Sequence, residues 1–413
     1  MTAEPSPLTI AHIVDYLMPT MGYQEFLLPK WNARHGHRVH IVTSDRYAPV
    51  PHYAQTWGPM LGPRVCGSGV SQVQGVTVHR LRCLFEVKSR PWLRGLGRTL
   101  RAIAPSALFI HGTASFNAFR AALLARKLGA GLVYDNHMTF GCRNTTALGR
   151  FGYALLRCGT RYLLTPVAHR FLGVARESSD FLAEGQGIPH ERIADLPLGV
   201  DTDLFSFDPQ GRARLRDAQS IPQDARVILQ TGKLTSDKSP EVLADAAAPL
   251  MSQHADLHLV YLGGGDEAML ERLRKPVARA GAMDRLHVLP FVPAKELAAA
   301  YSHADVCVYP GAASLSALEA AACARAVIMT DLPASRWRAE QGVGLTYPTG
   351  NVQVLRSRLA GLLQDAARRR ELGERAREAV LEAFSYDRIA REAEDCMAAA
   401  AAQVRTQGTG ENA

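Results

Sequence analysis

Short, unbroken apolar runs rich in β-branched residues recur along this chain with helical stretches between them, and no other feature limits its fold so strongly. A strand covered on one face alternates apolar with polar residues, whereas a strand covered on both faces runs continuously apolar. LTIAHIV, at 8–14, is of the second kind. The loop PTMGYQE follows, then a helix ending at Gly36, whose tolerance of positive φ suits a helix C-terminus, then the strand RVHIVTS. Further strands are expected at VTVHRLR, SALFIHGT, AGLVYDNH, RFLGVAR and RIADLPLG, with helices around 93–103 and 116–128. The polar segment SFDPQGRARLRDAQSIPQDA reads as a connection. A second series follows it: RVILQTG, LHLVYLG, RLHVLPFV, ADVCVYP and RAVIMTD, with helical periodicity between. A long Arg-, Glu- and Ala-rich helical region covers about 354–402, and the closing TQGTGENA carries nothing to pack and reads as a disordered tail. Strands and helices alternating twice over 413 residues imply an α/β protein of two doubly wound domains.

Charge divides unevenly. Residues 1–205 carry 22 Lys and Arg against 13 Asp and Glu, whereas 206–413 carry 25 against 26. Between Arg64 and Arg176 there are 17 basic residues and two acidic ones, Glu86 and Asp135, so the first half should attract anionic ligands or surfaces. The seven cysteines are scattered with no CxxC pair, which argues against a disulfide framework and a zinc site. No run reaches the roughly 18 apolar residues of a membrane span, and the opening MTAEPSPLTIAHIV lacks a signal core, so a cytoplasmic location is expected.

The sharpest motif is PGAASLSALEAAACARAVIMTD, directly after the strand ADVCVYP. Small residues fill the turn, and a helix starts near Ser314 or Ser316. The free N–H groups of such a helix end and the positive end of its dipole can hold phosphate. Glu319, about one turn inside, can accept hydrogen bonds from a ribose diol. The same residues equally describe an N-cap serine followed by a first-turn acid. By themselves they do not choose.

The segment resembles the signature of the retaining glycosyltransferase family 4, and the resemblance extends over nearly the whole chain. PTMGYQEFLLPKWNARHGHRVHIVTS is similar to that family's glycine loop and first helix; SALFIHG and GLVYDNH resemble its His-bearing strand ends; PLGVDTDLF resembles its domain junction, TGKLTSDKSPEVLADA its basic donor-binding loop, and FSYDRIAREAEDCM its helix crossing back to the first domain. The resemblance implies a GT-B fold, two Rossmann-like doubly wound domains facing across a cleft. The domains would be 1–205 for the acceptor and 206–385 for the nucleotide sugar, with a crossing helix at 386–404 and a tail at 405–413. It implies that Glu319 binds the donor ribose, that Lys238 with Lys233 neutralises the diphosphate, and that backbone amides at Gly22 and at Ala313, Ser314 and Leu315 approach the donor phosphates. It places His137 beside the transferred sugar, leaving His111 an ordinary hydrogen-bonded histidine. His137, Lys238 and Glu319 are thus the expected catalytic residues. The partners implied are a UDP- or GDP-linked sugar and a hydroxyl acceptor, with no cofactor, no metal and no nucleic acid.

There are departures from the family pattern. Gly311 stands where the family usually has a second carboxylate, Lys233 where Arg is more frequent, and Ser239 where Gly is common. These leave the donor sugar open and keep a sugar-nucleotide epimerase or a non-catalytic binding protein as alternatives. GGGDEA at 263–268 fits a dinucleotide motif but follows the second strand of its domain, so NAD is not expected. Asp201-Thr202-Asp203 mimics a metal-binding DxD but lies at the domain junction. In VKSRPWLRGLGRTLRAIAP, Leu93, Leu96, Leu100 and Ile103 fall on one helical face and Arg90, Arg94, Arg98 and Arg101 on another, with Trp92 near the start. That pattern suits a helix packed on the sheet, or one docked on anionic lipid as a peripheral contact.

Overall fold

The computed structural model describes residues 7–410 apart from 51, 143–145 and 313–314. The chain divides into two compact units, one running up to Leu198 and resuming at Ile389, the other spanning Gly199–Arg388.

In the first unit the strands are β1 (Thr9–Ile13), β2 (Arg38–Ser44), β3 (Gly69–Val73), β4 (Val76–Leu81), β5 (Cys83–Val87), β6 (Arg90–Leu93), β7 (Ala107–His111), β8 (Gly131–Asn136), β9 (Arg170–Gly173) and β10 (Ile193–Asp195). Eight form one sheet in the order β10-β9-β8-β7-β1-β2-β4-β3, parallel except where β3 pairs antiparallel to β4. Ile10, Ala11, Ile13, Leu108, Phe109, Ile110, Leu132 and Val133 are buried, as the continuous apolar runs require of strands covered on both faces. Each such leucine or isoleucine contributes about 1.5–3 kcal/mol by leaving water.

The helix Phe116–Leu128 starts where the Ser115 hydroxyl accepts from Asn117 N and ends at Gly129 with φ +64°. The sequence pattern predicts one helix over 93–103, and the structure corrects this. Arg90–Leu93 is a strand of the separate hairpin β5–β6, and the helix is Leu96–Ile103. Pro91 is the physical reason: its ring fits an extended edge, and it pairs across the hairpin with Glu86. Arg90 donates through Nε to the Ala114 carbonyl, so it has left the arginine row that the helical pattern drew. Trp92 is half-buried, stacked on Phe85 at 5.4 Å with the Arg120 guanidinium 4.4 Å over its ring.

The second unit holds β11 (Arg226–Thr231), β12 (Leu257–Leu262), β13 (Leu286–Leu289), β14 (Val306–Tyr309), β15 (Ala326–Thr330) and β16 (Leu345–Tyr347), a parallel sheet in the order β13-β12-β11-β14-β15-β16. Leu229, Val260 and Cys307 pack in one core and Ile228, Leu259, Val306 and Val308 in the other, so each strand feeds both faces. The glycines of the GGGDEA motif serve packing. A Cβ on Gly263 would lie 1.9 Å from the Gly232 carbonyl oxygen, and one on Gly265 would lie 2.8 Å from Leu234 Cβ. Asp266 then caps the helix Glu267–Arg279.

The last helix is Tyr386–Gly410. A Cβ on Gly131 would sit 2.4 Å from the Ala400 backbone, so the alanine-rich turns lie directly on the start of β8. The helix passes 405, where the sequence predicts a disordered tail, because extending a helix already fixed by packing costs far less than nucleating one.

Candidate functional site

Parallel sheets gather ligands at the carboxyl ends of their strands, and each unit has a polar cluster there.

In the second unit, β11 ends at Thr231 and turns through Gly232 into the exposed Lys233, and a short turn, Ser236–Lys238, precedes the helix Pro240–Gln253. The Lys238 ammonium donates to the Ala312 carbonyl at 3.2 Å and lies 3.7 Å from Asp237 Oδ2. Ala312 N donates back to the Asp237 carbonyl at 2.8 Å. The loops after β11 and β14 are thereby joined. Gly311 lies within this joint, where a Cβ would stand 2.3 Å from Asp237 O and 2.4 Å from the Lys238 backbone. The carboxylate usual at this position has no room for even its first carbon. Ser239 has φ +47°, the left-handed conformation a glycine adopts without penalty, which accounts for the residue common there.

Glu319 is one turn inside the helix Leu315–Ala322. Tyr301 donates to its Oε2 at 2.6 Å, and Thr231 Oγ1 lies 3.4 Å from the Tyr301 hydroxyl and 3.3 Å from that of Tyr309. Tyr309 donates onward to the Ser316 carbonyl at 2.7 Å. Burial pushes the Glu319 carboxyl up to about 7, against the opposing hydrogen bond from Tyr301. Ala313 and Ser314, expected at the phosphate, lie outside the described residues, while Leu315 opens the helix. Lys238 and the turn before Glu319 are brought together; Lys233 shares their loop.

The first unit gathers a chain of ionisable groups. Asp135, fully buried near the end of β8, accepts from Gly112 N at 2.9 Å and has His111 Nδ1 2.8 Å and His137 Nε2 3.6 Å from its Oδ2. The His111 contact is at ion-pair distance without hydrogen-bond alignment. Burial alone would raise the Asp135 carboxyl; the two imidazoles override it and hold it far below the carboxylate range. Burial likewise opposes charge on His137, but the Asp135 carboxylate raises it to about 9. Its side chain is 37% exposed, so it offers a cationic imidazole at the strand end. Glu25, in the first turn after the Gly22 loop, also acts on it electrostatically, and Gly22 itself has φ +70°.

Behind this pair the contacts continue inward. His111 Nε2 is 3.2 Å from His12 Nδ1, His12 Nε2 is 3.0 Å from Asn32 Oδ1, and Asn32 donates to Glu394 of the last helix at 2.7 Å. Burial holds His12 well below its ordinary value, hence neutral. Asp15, after β1, accepts from Ser115 and Asn117, both at 2.8 Å, and burial still lifts it to about 6. Nearby, a pocket of about 510 Å³ is lined by Lys88, Arg90, Ser115, Phe119, Tyr153 and Leu156 among others. Sequence reasoning missed Asp135, His12, Asp15, Tyr301 and Glu394. Only Asp135 carried a visible signal, as one of two acids in a long basic stretch. Among the described residues no group of His, Cys, Asp and Glu is arranged to hold a metal ion.

Residues 30–204 match the model of Glycosyltransferase Family 4 and residues 211–379 that of Glycosyl transferases group 1. D-inositol 3-phosphate glycosyltransferase 1 of Catenulispora acidiphila is 31% identical over 220 residues, 50% of this chain and 52% of that one. A GDP-mannose-dependent alpha-(1-6)-phosphatidylinositol monomannoside mannosyltransferase of Mycolicibacterium smegmatis is 33% identical over 122 residues, 30% of this chain and 31% of that one. The chain spans about half the length of the curated relatives it matches first. Among solved structures, a glycosyltransferase from Rickettsia africae superposes with TM-score 0.70 at 13% identity, covering 96% of this chain and 99% of that one. HepE of Anabaena, solved with UDP and glucose, gives 0.65 at 14%, covering 95% and 100%. At such identities the likeness is one of fold. With a Glycosyltransferase Family 4 match over most of the first parallel sheet, a Glycosyl transferases group 1 match over the second, and neighbours of that fold along nearly the whole chain, the protein has the GT-B glycosyltransferase fold.

Proposed function

We propose that this chain transfers a sugar from a nucleoside-diphosphate donor, UDP- or GDP-linked, to a hydroxyl acceptor with retention of anomeric configuration. The observation that carries the reading is Glu319: a carboxyl one turn inside the helix after β14, with one oxygen fixed by Tyr301 and Oε1 left to accept from a ribose diol. The names of relatives support it, since one glycosylates D-inositol 3-phosphate and another depends on GDP-mannose. So does HepE, solved with UDP and glucose.

In this reading the second unit holds the donor. Lys238 and Lys233, with the backbone N–H at Leu315 where the described helix begins and those the resemblance implies at Ala313 and Ser314, meet the charge that grows on the diphosphate as the anomeric C–O bond breaks. The acceptor oxygen forms the new bond, and its proton passes to the departing phosphate oxygen, so no separate base is required. His137, kept cationic by Asp135, donates to a hydroxyl of the transferred sugar, and amides at Gly22 approach the donor phosphate. The acceptor, a glycan, a lipid-linked intermediate or a small metabolite, belongs to the first unit, whose pocket beside Lys88 and Arg90 suits an anionic group. Lysines carry the charge that a metal carries in other transferases, and the reaction is metal-independent in cytoplasmic conditions.

A panel of nucleotide sugars screened by thermal shift, followed by product analysis with and without EDTA, tests the reading. Binding of one donor and metal-free transfer are expected. Isomerised donor, or binding with no product, would favour the alternatives that Gly311 suggests, an epimerase or a non-catalytic binder. Activity lost in EDTA and restored by magnesium would overturn the charge assignment.

A further inference from the structure

The helix Ala147–Gly159 runs without a break into the wider turn Thr160–Leu164. Thr160 and Leu164 are buried and anchor it to the first unit. Its outer surface is apolar where water would favour polar groups: Phe151 is 62% exposed, Leu155 58%, Tyr162 67% and Leu163 48%. Positions 151, 155, 158 and 162 follow the helical repeat and form one row. Arg150, Arg157 and Arg161 are exposed along the adjacent row, with the Arg161 guanidinium 5.6 Å over the Tyr162 ring. Between positions 136 and 176 the chain has six arginines and not one acidic residue or lysine.

The exposed surface continues beyond the helix. Leu84, Phe85 and Val87 of the hairpin β5–β6 are also about half exposed, next to Lys88. The same hairpin, through Lys88 and Arg90, lines one side of the 510 Å³ pocket that Tyr153 and Leu156 of the helix line on the other. Apolar side chains thus stand on both elements that form this pocket. No helix among the described residues is long and apolar enough to cross a membrane. An aromatic and leucine row beside an arginine row is instead the pattern of a helix that lies along a lipid surface.

We propose that this face docks on an anionic bilayer. Phe151, Leu155, Tyr162 and Leu163 enter the boundary between headgroups and acyl chains, and Arg150, Arg157 and Arg161 meet lipid phosphates. Charge complementarity selects this occupant: a single-signed arginine row with no interleaved acid matches a continuous negative surface, whereas a second copy of the face would repel it. The pocket then opens at the level of the headgroups, which makes a lipid-linked acceptor the fitting substrate; that last step rests on the transferase reading, and the docking does not.

The test is co-sedimentation of the full chain with phosphatidylcholine vesicles, with and without phosphatidylglycerol, at low and high salt. Wild type should pellet with the anionic vesicles and be released by salt. The variant Phe151→Ser/Tyr162→Ser/Leu163→Ser should partition at least about tenfold less, while its thermal melting and nucleotide binding stay as in wild type. Arg94→Glu/Arg98→Glu, on the other helix, should pellet like wild type. Wild type remaining in the supernatant at every composition, or a triple serine variant that pellets unchanged, would overturn the proposal. So would a wild-type dimer that the serine variant dissolves in the absence of vesicle binding, since a second copy would then cover the face. Nucleotide-sugar binding is measured separately by calorimetry, so failure of docking and failure of the transferase reading are distinct results.

Discussion

Asp135, near the end of β8, and Glu319, one turn inside the helix that follows β14, are both acids on the carboxyl side of their sheets, and they behave in opposite ways. Both lose solvent, which by itself raises a carboxyl. Asp135 has imidazoles 2.8 and 3.6 Å from one oxygen and stays ionised. Glu319 accepts from the Tyr301 hydroxyl, which opposes burial without overcoming it, and is pushed up to about 7. Burial is common to both; neighbours decide the outcome. The first unit therefore presents a fixed cation, His137, and the second a carboxyl able to change its charge near neutral pH.

Removing the charge from the first cluster should have the largest effect. Asp135→Ala leaves His111 and His137 facing an uncompensated hole, and the unfolding free energy should fall by about 3–5 kcal/mol, read by denaturant titration. The milder Asp135→Asn should bring the His137 imidazole titration, followed by NMR, down from about 9. The stability that the pair supplies is fully present below the imidazole's ordinary 6.5 and is lost as pH rises through that folded value. An unmoved imidazole in Asp135→Asn would show that Asp135 does not set its charge.

The second cluster should respond in binding more than in stability. Glu319→Ala should weaken donor affinity by about 1.5–3 kcal/mol with melting little changed, the loss of a charge-assisted hydrogen bond. Wild-type affinity should climb as pH rises toward and past about 7, because the ionised form is the better acceptor, and Glu319→Gln should flatten that climb. Stability runs the other way: with the folded value above the ordinary 4.5, the fold loses stability as pH rises between the two values, and the glutamine variant should not. A pH-independent wild-type affinity would place the diol elsewhere.

Two smaller changes sharpen the backbone side of the comparison. Gly311→Ala forces a methyl against Asp237 O and the Lys238 backbone, and should cost about 1–3 kcal/mol and loosen the Lys238 loop. A tolerated alanine would mean that the two loops separate readily. Ser239→Gly relieves a left-handed residue and should raise stability by roughly 1 kcal/mol, seen as a higher melting temperature.

Much of the second cluster was legible because each of its parts lies in a segment with its own local signal. Lys233 and Lys238 follow the recognisable strand β11, and Glu319 lies one turn into the helix after β14, so each is read from its own strand and turn. Tyr301 was not legible: it lies in an alanine-rich helix, and only the packing of that helix brings its hydroxyl to Glu319. The first cluster was nearly invisible. His12 reads as one residue of an apolar strand, yet it stands between His111 and Asn32, and Asn32 reaches Glu394 from 362 positions away. Of the two readings of 93–103, a helix packed on the sheet or one docked on lipid, the buried leucines fit the first, and Trp92 is stacked on Phe85. The exposed apolar row appeared at 151–163, where the sequence reading placed no helix.

The sequence by itself determined the alternation of buried strands and helices, the division into two such series, the basic excess of the first half and the segments after β11 and β14 that carry Lys238 and Glu319. Periodicity and turn chemistry are local, and a chain carries them wherever it folds. Tertiary structure alone decided which carboxyl stays charged, why position 311 has no side chain and which apolar face remains in water. Each of these depends on distances between residues far apart in the chain, and desolvation and Coulomb interaction are functions of those distances.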